Sequence, residues 1–311
     1  MGLNQLGVNN IKFQMDKKIN CFLIGAQKAG TSSFYNWLSQ HPEINAPEEM
    51  KDTHFFSHEK YFLKGTDWLE SFYKSNVQKP VLLKGAVNYI YFPQIAAAIK
   101  NYNNQSKFIL VLRDPVKRAL SAYQYFYKLG TEKRSFEQAI KEELQEKFHS
   151  AECKANFAYL DHGYYHRQIE NWLKYFDRET LCIHIYEILF KDPEIALQET
   201  FDFLGVDKNF NPSLYSANQT GVVKYKWIND LIFSSPKLLK ILKQLKINKI
   251  IGFSSRVKFL NWLRDWNTDK TKINNLYLSQ ERYQELSRYY ESDIYKLSQL
   301  LNKDLKKIWK Y

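Results

Sequence analysis

Four short apolar runs, Cys21–Ile24, Val81–Lys84, Phe108–Leu112 and Leu181–Ile185, stand out along a chain that is otherwise amphipathic. None alternates cleanly between apolar and polar positions, the pattern of strands buried on both faces rather than one. Between and after them, apolar residues recur at helical spacing over Ser32–Ser39, Pro93–Asn101, Val116–Leu129, Phe136–Phe148, Tyr165–Tyr175, Pro193–Leu204 and Leu278–Leu301. Strands interleaved with helices predict an α/β fold, a central parallel sheet flanked by helices on both faces. Ligands of such sheets sit at the carboxyl ends of the strands, so the segments that follow each apolar run are where chemistry is expected.

The first of those segments, in CFLIGAQKAGTSSFYNWLSQHP, runs from a strand through Gly25–Gly30 into a helix whose inner face carries Phe34, Trp37 and Leu38. The free N–H groups at such a helix start, with the positive end of the helix dipole, hold a phosphate-like oxyanion. A nucleoside-triphosphatase loop reads G-x-x-x-x-G-K-[ST]. Gly25 and Gly30 have that spacing, but Thr31 occupies the lysine position, and the loop's lysine is Lys28. The loop is thus P-loop-like without the side chain that reaches the terminal phosphates of ATP with magnesium.

A second strand leads into Arg113-Asp114-Pro115 and a helix with Arg118 and Ser121. Together, QKAGTSS and RDPVKRALSAY resemble the two nucleotide loops of sulfotransferases that use 3′-phosphoadenosine-5′-phosphosulfate (PAPS), and most of all the carbohydrate type, including heparan-sulfate enzymes and bacterial relatives. The resemblance implies that Lys28, Ala29, Gly30, Thr31, Ser32 and Ser33 hold the 5′ end of the nucleotide, and that Arg113 and Ser121 hold its 3′-phosphate. It implies PAPS as co-substrate and 3′-phosphoadenosine-5′-phosphate (PAP) as product, with no metal. In Lys51-Asp52-Thr53-His54-Phe55-Phe56, Asp52 takes the place of the family's catalytic glutamate, one methylene shorter, and His54 is placed to orient Asp52 or the acceptor. In Lys84-Gly85-Ala86-Val87-Asn88-Tyr89, counting back from Tyr89, Lys84 falls on a family glutamate position. Tyr165 resembles a tyrosine near the nucleotide, Tyr186-Glu187 a family pair, Gly221 part of a loop closing over the nucleotide, Lys224 its basic residue, and DLKKIWKY the closing helix.

Composition agrees with one folded catalytic domain over 1–311, with 1–18 as a polar extension: 44% of the residues are hydrophobic, 16% aromatic and 25% charged. The opening residues lack the continuous apolar core of a secretory signal, and nowhere do eighteen uncharged apolar residues run together. Three cysteines, Cys21, Cys153 and Cys182, are too few for a disulfide framework. These features read as a cytoplasmic, bacterial protein.

A net charge of +12 raises nucleic acid as a partner. Zinc-finger spacings, RNA-recognition signatures and low-complexity basic arms are all missing from the sequence, and a doubly phosphorylated nucleotide accounts for a positive cleft as well. The most basic stretch, 224–272, includes LLKILKQLKINKIIGF, with Leu238, Leu239, Ile241, Leu242 and Leu245 at helical spacing: an ordinary surface helix, a lid, or a membrane-surface helix. The expected function is transfer of a sulfuryl group to a glycan or, alternatively, to a small secondary metabolite. A P-loop nucleotide kinase and a non-catalytic nucleotide-binding module are the rivals from other classes.

Overall fold

The structure is a computed structural model that describes residues 18–76, 78–148, 150–214, 222–223, 266–269 and 277–311. Five strands, β1 (Cys21–Gly25), β2 (Ile44–Asn45), β3 (Val81–Gly85), β4 (Lys107–Leu112) and β5 (Leu181–Ile185), form one sheet in the order β2-β3-β1-β4-β5. Every pairing in it is parallel, with Cys21 opposite Leu83 and Lys107, and Phe108 opposite Leu181. The central strands are buried, apart from half-buried Lys107 at the start of β4, which is why their sequences are largely apolar; buried Lys84 in β3 is the exception. The four expected strands are present; β2 is additional, and its two residues were too short a run to carry a pattern.

The helices cover the sheet. Thr31–Leu38 buries Phe34, Trp37 and Leu38, and Pro115–Lys128 is capped by Asp114, whose carboxylate accepts from the N–H groups of Val116 and Lys117. Pro93–Tyr102 and Pro115–Lys128 both carry proline in the first turn, where the missing N–H costs nothing. The helix expected over Leu278–Leu301 is two helices, Gln280–Arg288 and Glu291–Leu301. The break falls at Tyr289-Tyr290, where fully buried Tyr290 reaches across to donate its hydroxyl to the Leu160 carbonyl at 2.9 Å. A closing helix, Leu305–Trp309, buries Trp309. Apart from residues 266–269, the basic segment 224–272 lies outside the described residues; within it Thr268–Asp269 pairs antiparallel with Val222–Val223.

The chain leaves β1 toward the β2-β3 side and leaves β4 toward β5. Since β1 and β4 are neighbours, their outgoing loops diverge and open a crevice between them, the position at which such sheets bind ligands.

Candidate active site

Both nucleotide-loop candidates border that crevice. Gly30 adopts φ +77°, and a methyl at its Cα would come within 2.4 Å of the Phe190 ring, so only glycine fits this lead-in to the helix. No side chain caps the helix start, which leaves its first N–H groups for an anion. Lys28 is itself left-handed, at φ 67°. Its ammonium lies 4.3 Å from the centre of the Tyr125 ring. Burial, then the neighbouring cations Arg113 and Lys128, lower its pKa to about 8, against a smaller upward pull from Asp52.

Arg113 leaves the end of β4 and turns back on the loop: its Nη1 donates to the Lys28 carbonyl at 3.1 Å, and its guanidinium stacks 4.7 Å from the Tyr186 ring. Its Nε is buried without a hydrogen-bond partner among the described residues. The corner is braced from behind. Tyr165, fully buried, donates its hydroxyl to the Arg113 carbonyl at 2.8 Å; that support, rather than an exposed face toward a ligand, is what the fold gives it. Glu187 accepts from the Asp114 N–H at 3.3 Å and from the Trp309 indole at 2.9 Å, and Tyr283 donates to Asp114 Oδ2 at 2.6 Å. The carboxyl-terminal helices thus hold a loop far away in the sequence.

Asp52 stands exposed at the crevice edge, with φ 58° and its N–H on the Gly85 carbonyl at 2.9 Å. Behind it Phe55 and Phe56 are buried and meet edge to face at 4.9 Å, anchoring the segment. His54 is half-buried, and burial lowers its pKa more than the nearby Asp52 carboxylate raises it, so the ring is neutral at pH 7. Thr31 and Ser33 are buried, Ser32 and Ser121 partly exposed. Gly221 and Lys224 lie outside the described residues.

The structure therefore places Lys28 within electrostatic reach of both Arg113 and Asp52. Sequence reasoning missed Tyr125, Tyr283 and Trp309 as parts of this corner, because they come from helix faces whose packing no local motif announces. Tyr186 was visible only as half of a Tyr-Glu pair. Among the described residues no group of three or more His, Cys, Asp or Glu side chains could hold a metal ion, and no helix is long and apolar enough to cross a membrane.

The chain is 30% identical over 267 residues to bifunctional heparan sulfate N-deacetylase/N-sulfotransferase 4 of Mus musculus, covering 81% of this chain and 29% of that protein. It is 27% identical over 199 residues to heparan sulfate glucosamine 3-O-sulfotransferase 3A1 of the same organism, covering 64% and 48%. The chain thus spans less than half the length of these two curated relatives. In fold it resembles a sulfotransferase from Alicyclobacillus acidocaldarius, with a TM-score of 0.67 at 22% identity over 95% of this chain and all of that one. The model of the sulfotransferase domain matches residues 18–297, nearly the whole chain, and the protein belongs to that family.

Proposed function

We propose that this protein moves a sulfuryl group from PAPS to a hydroxyl or amine of an acceptor, a carbohydrate in the first instance. The observation that carries the reading is the Arg113 to Lys28 contact, which joins the loop suited to a 5′-phosphosulfate to the corner suited to a 3′-phosphate. The residues present suit such a nucleotide. Burial first, and then the neighbouring cations Arg113 and Lys128, make Lys28 bind its proton weakly, and the helix start beside them is uncapped. A polyanion relieves both.

The nucleotide, when bound, supplies the electrophilic sulfur and the leaving phosphate. The work of the chain is then to align and to compensate charge. Lys28, cationic at pH 7, neutralises negative charge on the bridging oxygen, helped by the N–H groups of Gly30 to Ser32. Asp52 accepts the proton of the acceptor, a role worth about 10²–10⁴-fold in rate. Neutral His54 is placed to orient Asp52 or the acceptor. Arg113 and Ser121 hold the 3′-phosphate, as a charge-assisted pair and a hydroxyl donor. The relatives' printed names favour a glycan acceptor. Three free cysteines fit a reducing compartment.

Incubation with labelled PAPS and a panel of glycans, small alcohols and amines, read by mass, tests the reading. One added sulfuryl group is expected on a sugar, and Asp52→Asn is expected to lose at least about 100-fold in kcat. A stabilising shift with ATP and Mg²⁺ but none with PAP, together with no transfer, refutes it.

A further inference from the structure

Lys84 is a buried charged residue that the nucleotide loops and the base leave unexplained. It lies in β3 opposite Phe22, in a strand otherwise apolar up to Gly85, and is fully buried. A buried ammonium is costly unless its protons are matched. Here they point at one short segment. Nζ donates to the Thr53 carbonyl at 2.5 Å and approaches the Met50 carbonyl at 3.4 Å, with the Tyr89 ring centre 5.6 Å away.

Met50 and Thr53 bracket Lys51 and Asp52. Between them the backbone turns left-handed at Asp52, a conformation that costs a non-glycine residue about 1–2 kcal/mol and must be enforced by its surroundings. The enforcement comes from the end of β3: the Asp52 N–H is held by the Gly85 carbonyl at 2.9 Å, and Tyr89 reaches Thr53 O at 3.4 Å while accepting from the Phe56 N–H at 3.0 Å. Lys84 supplies the central bonds of that staple. Its desolvation brings its pKa down to about 7, and the titratable groups in electrostatic reach of it are Asp52 and His54.

We propose that Lys84 is a positioning residue for the base: bonded to the carbonyls of Met50 and Thr53, it fixes the left-handed turn that presents the Asp52 carboxylate to the crevice. The proposal rests on Asp52 being the base. It assigns Lys84 no contact with nucleotide or acceptor, so its loss alters turnover and leaves nucleotide binding alone.

The test is Lys84→Met in the full chain, which keeps the volume and removes the donors. Expected are PAP affinity by calorimetry within about twofold of the parent, KM for PAPS within about twofold, and kcat down at least about tenfold. In an Asp52→Asn background the same substitution is expected to change the residual rate by less than about twofold, since the route runs through Asp52. A parental kcat in Lys84→Met with normal PAP binding overturns the proposal, and so does an undiminished loss in the Asp52→Asn background. Where Lys84→Met does not fold, Lys84→Gln, polar but too short to reach both carbonyls, is judged by the same two criteria. A parent without transferase activity, or an Asp52→Asn variant at full turnover, refutes the base assignment and the proposal with it; a normal Lys84→Met beside an inactive Asp52→Asn refutes the role of Lys84 alone.

Discussion

The guanidinium of Arg113 donates to the backbone carbonyl of Lys28 at 3.1 Å, across the crevice between β4 and β1. One side chain therefore sets the separation of the two ends of the site, while the Tyr186 ring under it keeps its plane fixed. Arg113→Met is expected to weaken PAP binding by about 10- to 100-fold, from the loss of a charge-assisted pair and of the link to the loop. Arg113→Lys restores charge without the planar fork and is expected to recover only a small part. Calorimetric titration with PAP measures both.

Lys28 makes activity fall with alkali. Its pKa is lowered from 10.5 to about 8, by burial first and then by Arg113 and Lys128, so the free enzyme holds the required cation below about pH 8 and loses it above. The expected kcat/KM for PAPS declines about tenfold per pH unit beyond that point. Stability runs the other way. The unfolded chain keeps this proton up to 10.5, so between about 8 and 10.5 it binds more protons than the folded chain, and through this group unfolding becomes harder as pH rises. Initial rates and urea unfolding, followed side by side over that window, check the opposed trends.

Gly30→Ala is expected to damage loop and stability together. The left-handed φ of +77° costs a Cβ-bearing residue about 1–2 kcal/mol, and the added methyl would lie 2.4 Å from Phe190. Urea unfolding should show a loss of at least that size, with weaker PAP binding. Adding Phe190→Leu is expected to recover the packing part and leave the backbone part.

Tyr283→Phe examines the brace at the far end of the sequence. The hydroxyl has the Asp114 carboxylate at 2.6 Å and the Trp309 carbonyl at 2.8 Å. Removing it leaves a buried carboxylate short of a donor, at a cost of about 1–3 kcal/mol. Because Asp114 caps the helix that follows Arg113, PAP affinity is expected to fall several-fold along with the melting temperature. Unchanged PAP binding would show that the carboxyl-terminal helices do not steady the corner.

Cys21–Ile24 and Phe108–Leu112 were legible as strands because burial on both faces forces an unbroken apolar run; Gly25 and Gly30 marked the loop because a side chain at Gly25 would meet Ile90 at 2.6 Å and the left-handed turn at Gly30 lies under Phe190. Arg113 was legible because it directly follows such a strand. Lys84 was not: in sequence it is a charge ending an apolar run, and nothing local says that Met50 and Thr53 come to lie above it.

The sequence alone determined the alternation of strands and helices, the phosphate-type loop and the family, since these depend on residues near one another along the chain. Only the tertiary structure decided that β1 and β4 are neighbours, that Arg113 therefore meets Lys28, and that Tyr283 and Trp309 close on Asp114 and Glu187 from the other end of the chain. Those contacts arise from the packing of surfaces distant in sequence, where the partner of each polar group is fixed by which faces bury together and not by its neighbours in the chain.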